Sequence, residues 1–306
     1  MSLDKEYFEY PHRSYGMDHD YYDWSMLANR PPVTWPDGNK IALWINVAVQ
    51  YFPLNQQGKP FAPVGGMTTA YPDLRHYTLR EYGNRVGIFR LLKAFDKYGV
   101  KPTFAVQTRV AERYPYLINK LVERGDEITC HGWHMDAPHF GGQDRDTEAD
   151  LVKRSLDGLR SITGREITGW ISPSKSQSFS TAELLVDNGV EYMCDWVNDE
   201  LPYSFRTPAG DITAMPLSTE LEDRFIMQAN LHSEAEYADQ ICDAFDFLYQ
   251  EAEDTGSGRM LALSIHPWML GQPHRIGRLE QVLEHITGHS DVWSASAGDI
   301  VQHWKK

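Results

Sequence analysis

Short apolar runs alternate along the chain with stretches whose apolar residues recur every three or four positions. From about residue 40 onward the runs fall at 41–49, 103–106, 127–130, 167–171, 191–194, 212–215, 260–265 and 292–294, and each predicts a β-strand. Helices are expected in most of the gaps. The clearest spans 84–98, where Val86, Phe89, Leu92 and Phe95 share helical spacing, face the core, and Gly99 offers a stop. The same succession of helix, glycine and strand returns at 117–125, 151–164 and 181–189, ahead of the strands that begin at 127, 167 and 191. Repeated βα units predict a parallel sheet, and the regularity of the cadence favours one α/β barrel over two unrelated domains.

Two segments stand outside this rhythm. Residues 1–39 are rich in Tyr, Asp and Pro, as in Tyr21-Tyr22-Asp23-Trp24 and Arg30-Pro31-Pro32, and show neither period. They are expected to form an N-terminal arm packed on the barrel domain, residues 40–306, or on a neighbouring subunit. Residues 52–77 read as a long first βα loop with Gly65-Gly66 and several prolines, and loops of that length are often functional.

Composition narrows the possibilities. A chain of 306 residues with 42% hydrophobic and 24% charged residues can bury the core of one β/α barrel. Lys and Arg number 29 against 43 Asp and Glu, and the resulting charge of -14 opposes nucleic acid and anionic membrane surfaces as partners. Cys130, Cys194 and Cys242 are too scattered for a disulfide framework or a CxxC metal site, which suits a reducing, cytoplasmic setting. The run 41–49, interrupted by Asn46, is too short to span a bilayer, and the first residues lack a basic flank followed by an apolar stretch.

Barrels of this kind carry their chemistry at the C-terminal ends of the strands, so the residue after each run is the informative one. Those residues are Gln50, Gln107 with Thr108, His131, Ser172, Asp195 and His266. Imidazoles serve as acid, base or metal ligand near neutral pH. One such histidine could simply be hydrogen-bonded in the core, but two at strand ends of one barrel favour chemistry. The segment His131-Gly132-Trp133-His134-Met135-Asp136, with His139 beyond it, suggests a metal site. The suggestion is weak, because three-residue spacing in a Gly- and Pro-containing loop dictates little geometry. The hydroxyl-rich run from Ser172 to Ser178, with Lys175, lacks a G-x-S-x-G elbow and reads as a loop.

On these residues the chain resembles the polysaccharide deacetylase (NodB-homology) superfamily, and within it the metal-independent, allantoinase-like branch. The resemblance runs from about Ile41 to Trp304. It rests on Glu81-Tyr82-Gly83-Asn84-Arg85-Val86-Gly87-Ile88-Phe89-Arg90, Gly125-Asp126-Glu127-Ile128 leading into His131-Gly132, and Gly169-Trp170 before Ser172-Pro173. Asp199-Glu200-Leu201-Pro202-Tyr203 and His266-Pro267 followed by Gly271-Gln272-Pro273 complete it. The resemblance implies an irregular (β/α)7-type parallel barrel and hydrolysis of an amide or cyclic amide. Metal-dependent members end the first strand in two aspartates, one a base and one a ligand, and add two histidines four apart. Here those positions hold Ala48, Gln50, His131 and Met135, and Ile171 stands where an arginine is usual. One imidazole beside an amide and a thioether is a poor zinc site, so no cofactor is expected.

The resulting expectation is a hydrolase of a non-peptide carbon–nitrogen bond in a small molecule such as a cyclic amide, ureide or imide. His266 would shuttle a proton, and Glu81, Asp195 or His131 would supply the base. Gln50 or loop N–H groups would stabilise the oxyanion, and Ser172, Trp133, Trp196 and Trp268 would help line the pocket. The alternatives are a metal-dependent N-acetyl-sugar deacetylase and a noncatalytic binding barrel. A homo-oligomer is expected, with the arm or the 52–77 loop at its interface.

Overall fold

Nine consecutive residues, Ile41–Val49, are buried along the whole of β1, as a parallel strand with neighbours on both edges and layers on both faces requires. Its alternate side chains enter different cores. Ile41, Leu43, Ile45 and Val47 join Phe95, Leu121, Phe245 and Leu283 on the helical side, whereas Ala42 and Trp44 meet Ala105, Tyr192, Met215 and Ala262 on the concave side.

The computed structural model describes residues 18–54 and 74–306. After β1 come α1 (Leu74–Tyr82), a π-helical turn (Gly83–Gly87), α2 (Ile88–Tyr98), β2 (Thr103–Val106), α3 (Thr108–Arg113) and α4 (Pro115–Arg124). Next are β3 (Glu127–Cys130), α5 (Arg145–Thr163), β4 (Gly169–Trp170), α6 (Thr181–Asp187), β5 (Tyr192–Met193), β6 (Tyr203–Thr207) and β7 (Gly210–Ala214). The chain finishes with α7 (Glu234–Thr255), β8 (Arg259–Ile265), α8 (Pro267–Leu270), α9 (Ile276–Thr287), β9 (Val292–Ser294) and α10 (Ala297–Trp304). Strand order is β6-β7-β5-β4-β3-β2-β1-β8, with β9 beside the first residues of β1. Every pairing is parallel except the β6–β7 hairpin. Among the described residues no ladder joins β7 to β8, so the expected irregular barrel is a curled half-barrel.

Two elements differ from the sequence pattern. β6 goes unpredicted because it is half of an edge hairpin and only Phe205 of its residues is buried. The helix expected at 84–98 continues from Leu74 through the π turn, and its buried face is rotated. Val86 and Phe89 are exposed, while Ile88, Leu91, Leu92 and Phe95 are buried. The reason lies in two glycines that an apolar count ignores. A Cβ on Gly87 would lie 2.0 Å from the Pro267 carbonyl oxygen, and one on Gly83 would lie 2.7 Å from the Trp268 nitrogen. Backbone-to-backbone contact with α8 therefore sets which side of the helix faces inward.

The described part of the arm, residues 18–39, lies along the chain's own barrel. Tyr21 stacks on Phe205 at 4.9 Å, Tyr22 meets Trp196 and Tyr203, and the Arg206 amide donates to the Tyr21 carbonyl at 2.7 Å. Trp35 is buried, and its indole donates to the Arg259 carbonyl at 2.8 Å. Trp24, Met26 and Leu27 stay exposed. Most of the 52–77 loop and residues 1–17 of the arm lie outside the described residues. Among the described residues no helix is long and apolar enough to cross a membrane.

Candidate active site

β1, β3, β4, β5 and β8 deliver Gln50, His131, Ser172, Asp195 and His266 to one rim. His131 is buried between two fixed partners. Its Nδ1–H donates to the Ile171 carbonyl at 2.9 Å, since a carbonyl can only accept. The Nε2 lone pair therefore faces Gln50, whose amide nitrogen lies 3.3 Å away. Burial, above all, pushes the His131 imidazole from 6.5 down to about 4, so it is neutral at physiological pH. The Gln50 backbone is itself held from behind, where the Asn84 amide donates to its main-chain carbonyl at 2.9 Å.

His266 is gripped by a carboxylate that no motif singled out. Asp223, fully buried in the segment between β7 and α7, accepts the His266 Nδ1–H through Oδ1 at 2.6 Å and the His266 backbone N–H through Oδ2 at 2.7 Å. Both oxygens are thus spent on one residue, fixing ring orientation and tautomer and leaving Nε2 for proton transfer. The Trp268 ring lies 5.5 Å from that of His266, and the Arg80 guanidinium lies 4.3 Å from the same indole and 4.8 Å from Phe52. Trp268 keeps its own N–H buried without a hydrogen-bond partner among the described residues.

Next to Asp223 stands Glu222. Its Oε1 accepts from Arg224 at 3.0 Å, and its Oε2 lies 3.6 Å from the Lys175 ammonium. Lys175 reaches across from the loop after β4 and donates to the Leu217 carbonyl at 2.9 Å. Burial works to raise the Glu222 carboxyl, but His266, Arg224 and Lys175 outweigh it and hold it below its ordinary value. Burial lowers the Lys175 ammonium.

The other expected residues are differently engaged. Asp195 accepts from the Ser172 backbone N–H at 2.7 Å, the Ser172 hydroxyl at 2.7 Å and the Gln177 amide at 2.6 Å, and burial raises its pKa. It ties the end of β4 to the end of β5, and Ser172 is its partner. Glu81 accepts from the Tyr77 and Tyr114 hydroxyls, each at 3.1 Å. Trp133 carries the Arg154 guanidinium at 3.8 Å. Trp196 lies among Tyr21, Tyr22 and Phe205 and receives the arm. Sequence reasoning passed over Asp223 and Glu222, and it named Lys175 only within a run read as a loop. An acidic pair after a proline-containing loop is common, and no periodicity links Asp223 to His266 across 43 residues of chain.

The metal that the family resemblance implies does not fit these residues. At its place stand one imidazole already bonded at both nitrogens, an amide and the Met135 thioether. Among the described residues no three His, Cys, Asp or Glu side chains converge as a ligand set.

Comparison with known proteins agrees with this architecture. Residues 81–193 match the family model described as polysaccharide deacetylase. A peptidoglycan deacetylase of Helicobacter pylori is 24% identical over 74% of this chain and 86% of its own. Among solved structures, the PuuE allantoinase superposes with a TM-score of 0.82 at 26% identity, covering 90% of this chain and 94% of that one. A probable polysaccharide deacetylase of Pseudomonas aeruginosa superposes with a TM-score of 0.81 at 25% identity over 96% and 98% of the two chains. The family-model match and the half-barrel shared with both solved structures place the chain among polysaccharide-deacetylase-like proteins, hydrolases of carbon–nitrogen bonds.

Proposed function

We propose that this protein hydrolyses a cyclic amide, ureide or imide, in the manner of its allantoinase relative, without the metal of the sugar deacetylases. The observation that supports this most is the Asp223–His266 pair, a buried carboxylate that holds Nδ1 at 2.6 Å and presents Nε2 for proton transfer to a leaving nitrogen. Beside it, the donor set of Gln50, His131 and Met135 suits hydrogen bonding to a carbonyl better than it suits zinc. Gln50 and the Trp268 N–H are the donors suited to a developing oxyanion. His131, neutral and accepting the Gln50 amide at Nε2, orients that donor, and Trp268 with Arg80 forms a flat wall for a planar ring.

The second reading, an N-acetyl-sugar deacetylase, is favoured by the family model and by the name of the Helicobacter relative. Turnover assays with allantoin and related cyclic ureides, run beside N-acetylglucosamine oligomers on chelator-treated protein, separate the two. Ureide turnover supports the first reading, and zinc-dependent release of acetate overturns it. A cytoplasmic setting is consistent with three free cysteines. Self-association through the exposed Trp24, Met26 and Leu27 is part of the same proposal.

A further inference from the structure

Attack of water on an amide carbonyl needs a base, and the end of β1 offers Ala48 and Gln50 instead of a carboxylate. We infer that Glu222 is that base, supplied from the opposite side of the half-barrel by the segment between β7 and α7. The inference rests on the proposed carbon–nitrogen hydrolysis and adds the group that reading lacks.

The argument is one of elimination by hydrogen bonding. Of the carboxylates described above, Asp223, Asp195 and Glu81 are committed. Asp223 spends both oxygens on His266, Asp195 accepts three hydrogen bonds from Ser172 and Gln177, and Glu81 is held by two phenols. Glu222 has one oxygen on Arg224 and the other in a longer ion pair with Lys175, at 3.6 Å. Its backbone adjoins Asp223, which holds His266. Its cationic partner Lys175 belongs to the loop that leaves Ile171, whose carbonyl holds His131. Glu222 therefore lies between the two histidine-bearing walls, 6% exposed.

Two further observations fit a charged group kept in readiness. Ser174 and Lys175 both adopt left-handed backbone, with φ of 60° and 53°, a strain of the kind concentrated at functional sites. The surrounding Lys175, Arg224 and His266 keep the carboxyl ionised despite burial. Lys175 makes its shorter contact, 2.9 Å, with the Leu217 carbonyl and stands 3.6 Å from Glu222.

In the step assigned to it, Glu222 takes a proton from water as the oxygen–carbon bond forms and the carbonyl electrons move to oxygen. As the intermediate collapses, the carbon–nitrogen bond breaks and His266 gives its Nε2 proton to the leaving nitrogen. The proton on Glu222 then returns to His266 through solvent, and one water is consumed.

The test uses the full-length protein and whichever ureide or N-acetyl substrate the wild type turns over. Glu222→Gln should lower kcat by roughly a hundredfold to a thousandfold with KM within a few-fold, and should remove the acidic limb of the pH profile. Added formate should restore part of the activity of Glu222→Ala, as it can replace a missing base but not a missing strut. Glu220→Gln, an exposed neighbour, should behave as wild type. If the single variants misfold, Lys175→Met with Glu222→Gln removes the buried cation together with its partner and is assayed in the same way. Wild-type kcat in Glu222→Gln, or a loss with an unchanged pH profile and no formate rescue, overturns the inference alone. A wild type inactive on both substrate classes overturns the proposed hydrolysis and the inference with it.

Discussion

Both ends of the half-barrel hold buried or half-buried carboxylates, and they differ in what is left over once the hydrogen bonds are made. At the N-terminal end, Glu127 accepts from the Thr103 hydroxyl at 2.7 Å and from the Tyr192 hydroxyl and the Gly298 N–H, each at 2.9 Å. Thr103 in turn accepts from the Trp44 indole and the Ala297 N–H. That network joins β1, β2, β3, β5 and α10 and ends in itself. At the C-terminal end, among the described residues His266 retains an Nε2, and one Glu222 oxygen has only its 3.6 Å contact with Lys175. Closed networks hold the fold, and open valences are available to substrate. Asp195 makes the point sharper, because it lies at the mouth and is nonetheless as saturated as Glu127.

The largest expected effect breaks the open network. His266→Asn should lower turnover by roughly two to four orders of magnitude with an unchanged melting temperature, and Asp223→Asn should follow it by loosening the ring. Steady-state kinetics beside thermal melts check this, and near-normal turnover in His266→Asn removes that residue from the mechanism.

The two ends should also respond to pH with opposite sign. His131 is depressed from 6.5 to about 4, so the unfolded chain binds its proton first and stability is lost as pH falls from 6.5 through 4. A shift of that size corresponds to about 3 kcal/mol. Glu127 is raised, chiefly by burial, so its contribution is present below the ordinary glutamate value of 4.5 and is lost as pH rises through the folded value. Chemical denaturation between pH 4 and 8 should show His131→Asn losing less than wild type on acidification. Glu127→Gln should lose less as pH rises. Parallel curves for wild type and variants would remove the contrast.

A smaller effect is expected where the arm meets the barrel. Tyr21→Ala gives up the stacked contact with Phe205 and should cost about 1 kcal/mol of stability with kcat unchanged. Sedimentation of the full chain against one beginning at Pro36 tests assembly. If both are monomers at micromolar concentration, the described arm serves only to cover Trp196 and Phe205, and the proposed self-association is wrong.

Smallest of all should be the response to chelation. Dialysis against a strong chelator should change turnover by less than about twofold, while Gln50→Asp with Met135→His should raise zinc affinity measured by calorimetry. A wild type that holds stoichiometric zinc after dialysis would mean that the open valences at the mouth serve a metal.

The sequence by itself determined the parts of this protein whose physics is local. β1 is legible because a strand covered on both faces must be apolar at every position. The helix, glycine and strand cadence is legible because Gly99 and Gly125, at φ of 65° and 78°, end their helices where few other residues can. His131 and His266 stand out because a polar residue directly after such a strand has reached the rim. Tertiary structure alone decided the rest. Asp223 is an unremarkable acid until the segment after β7 brings it against β8, and Asp195 looks like a base until Ser172 and Gln177 occupy it. The inward face of α2 was set by backbone contact at two glycines, which carry no hydrophobic signal. Burial and backbone geometry repeat over a few residues and are written along the chain. The choice of hydrogen-bond partner depends on where distant strand ends converge, and no local pattern encodes it.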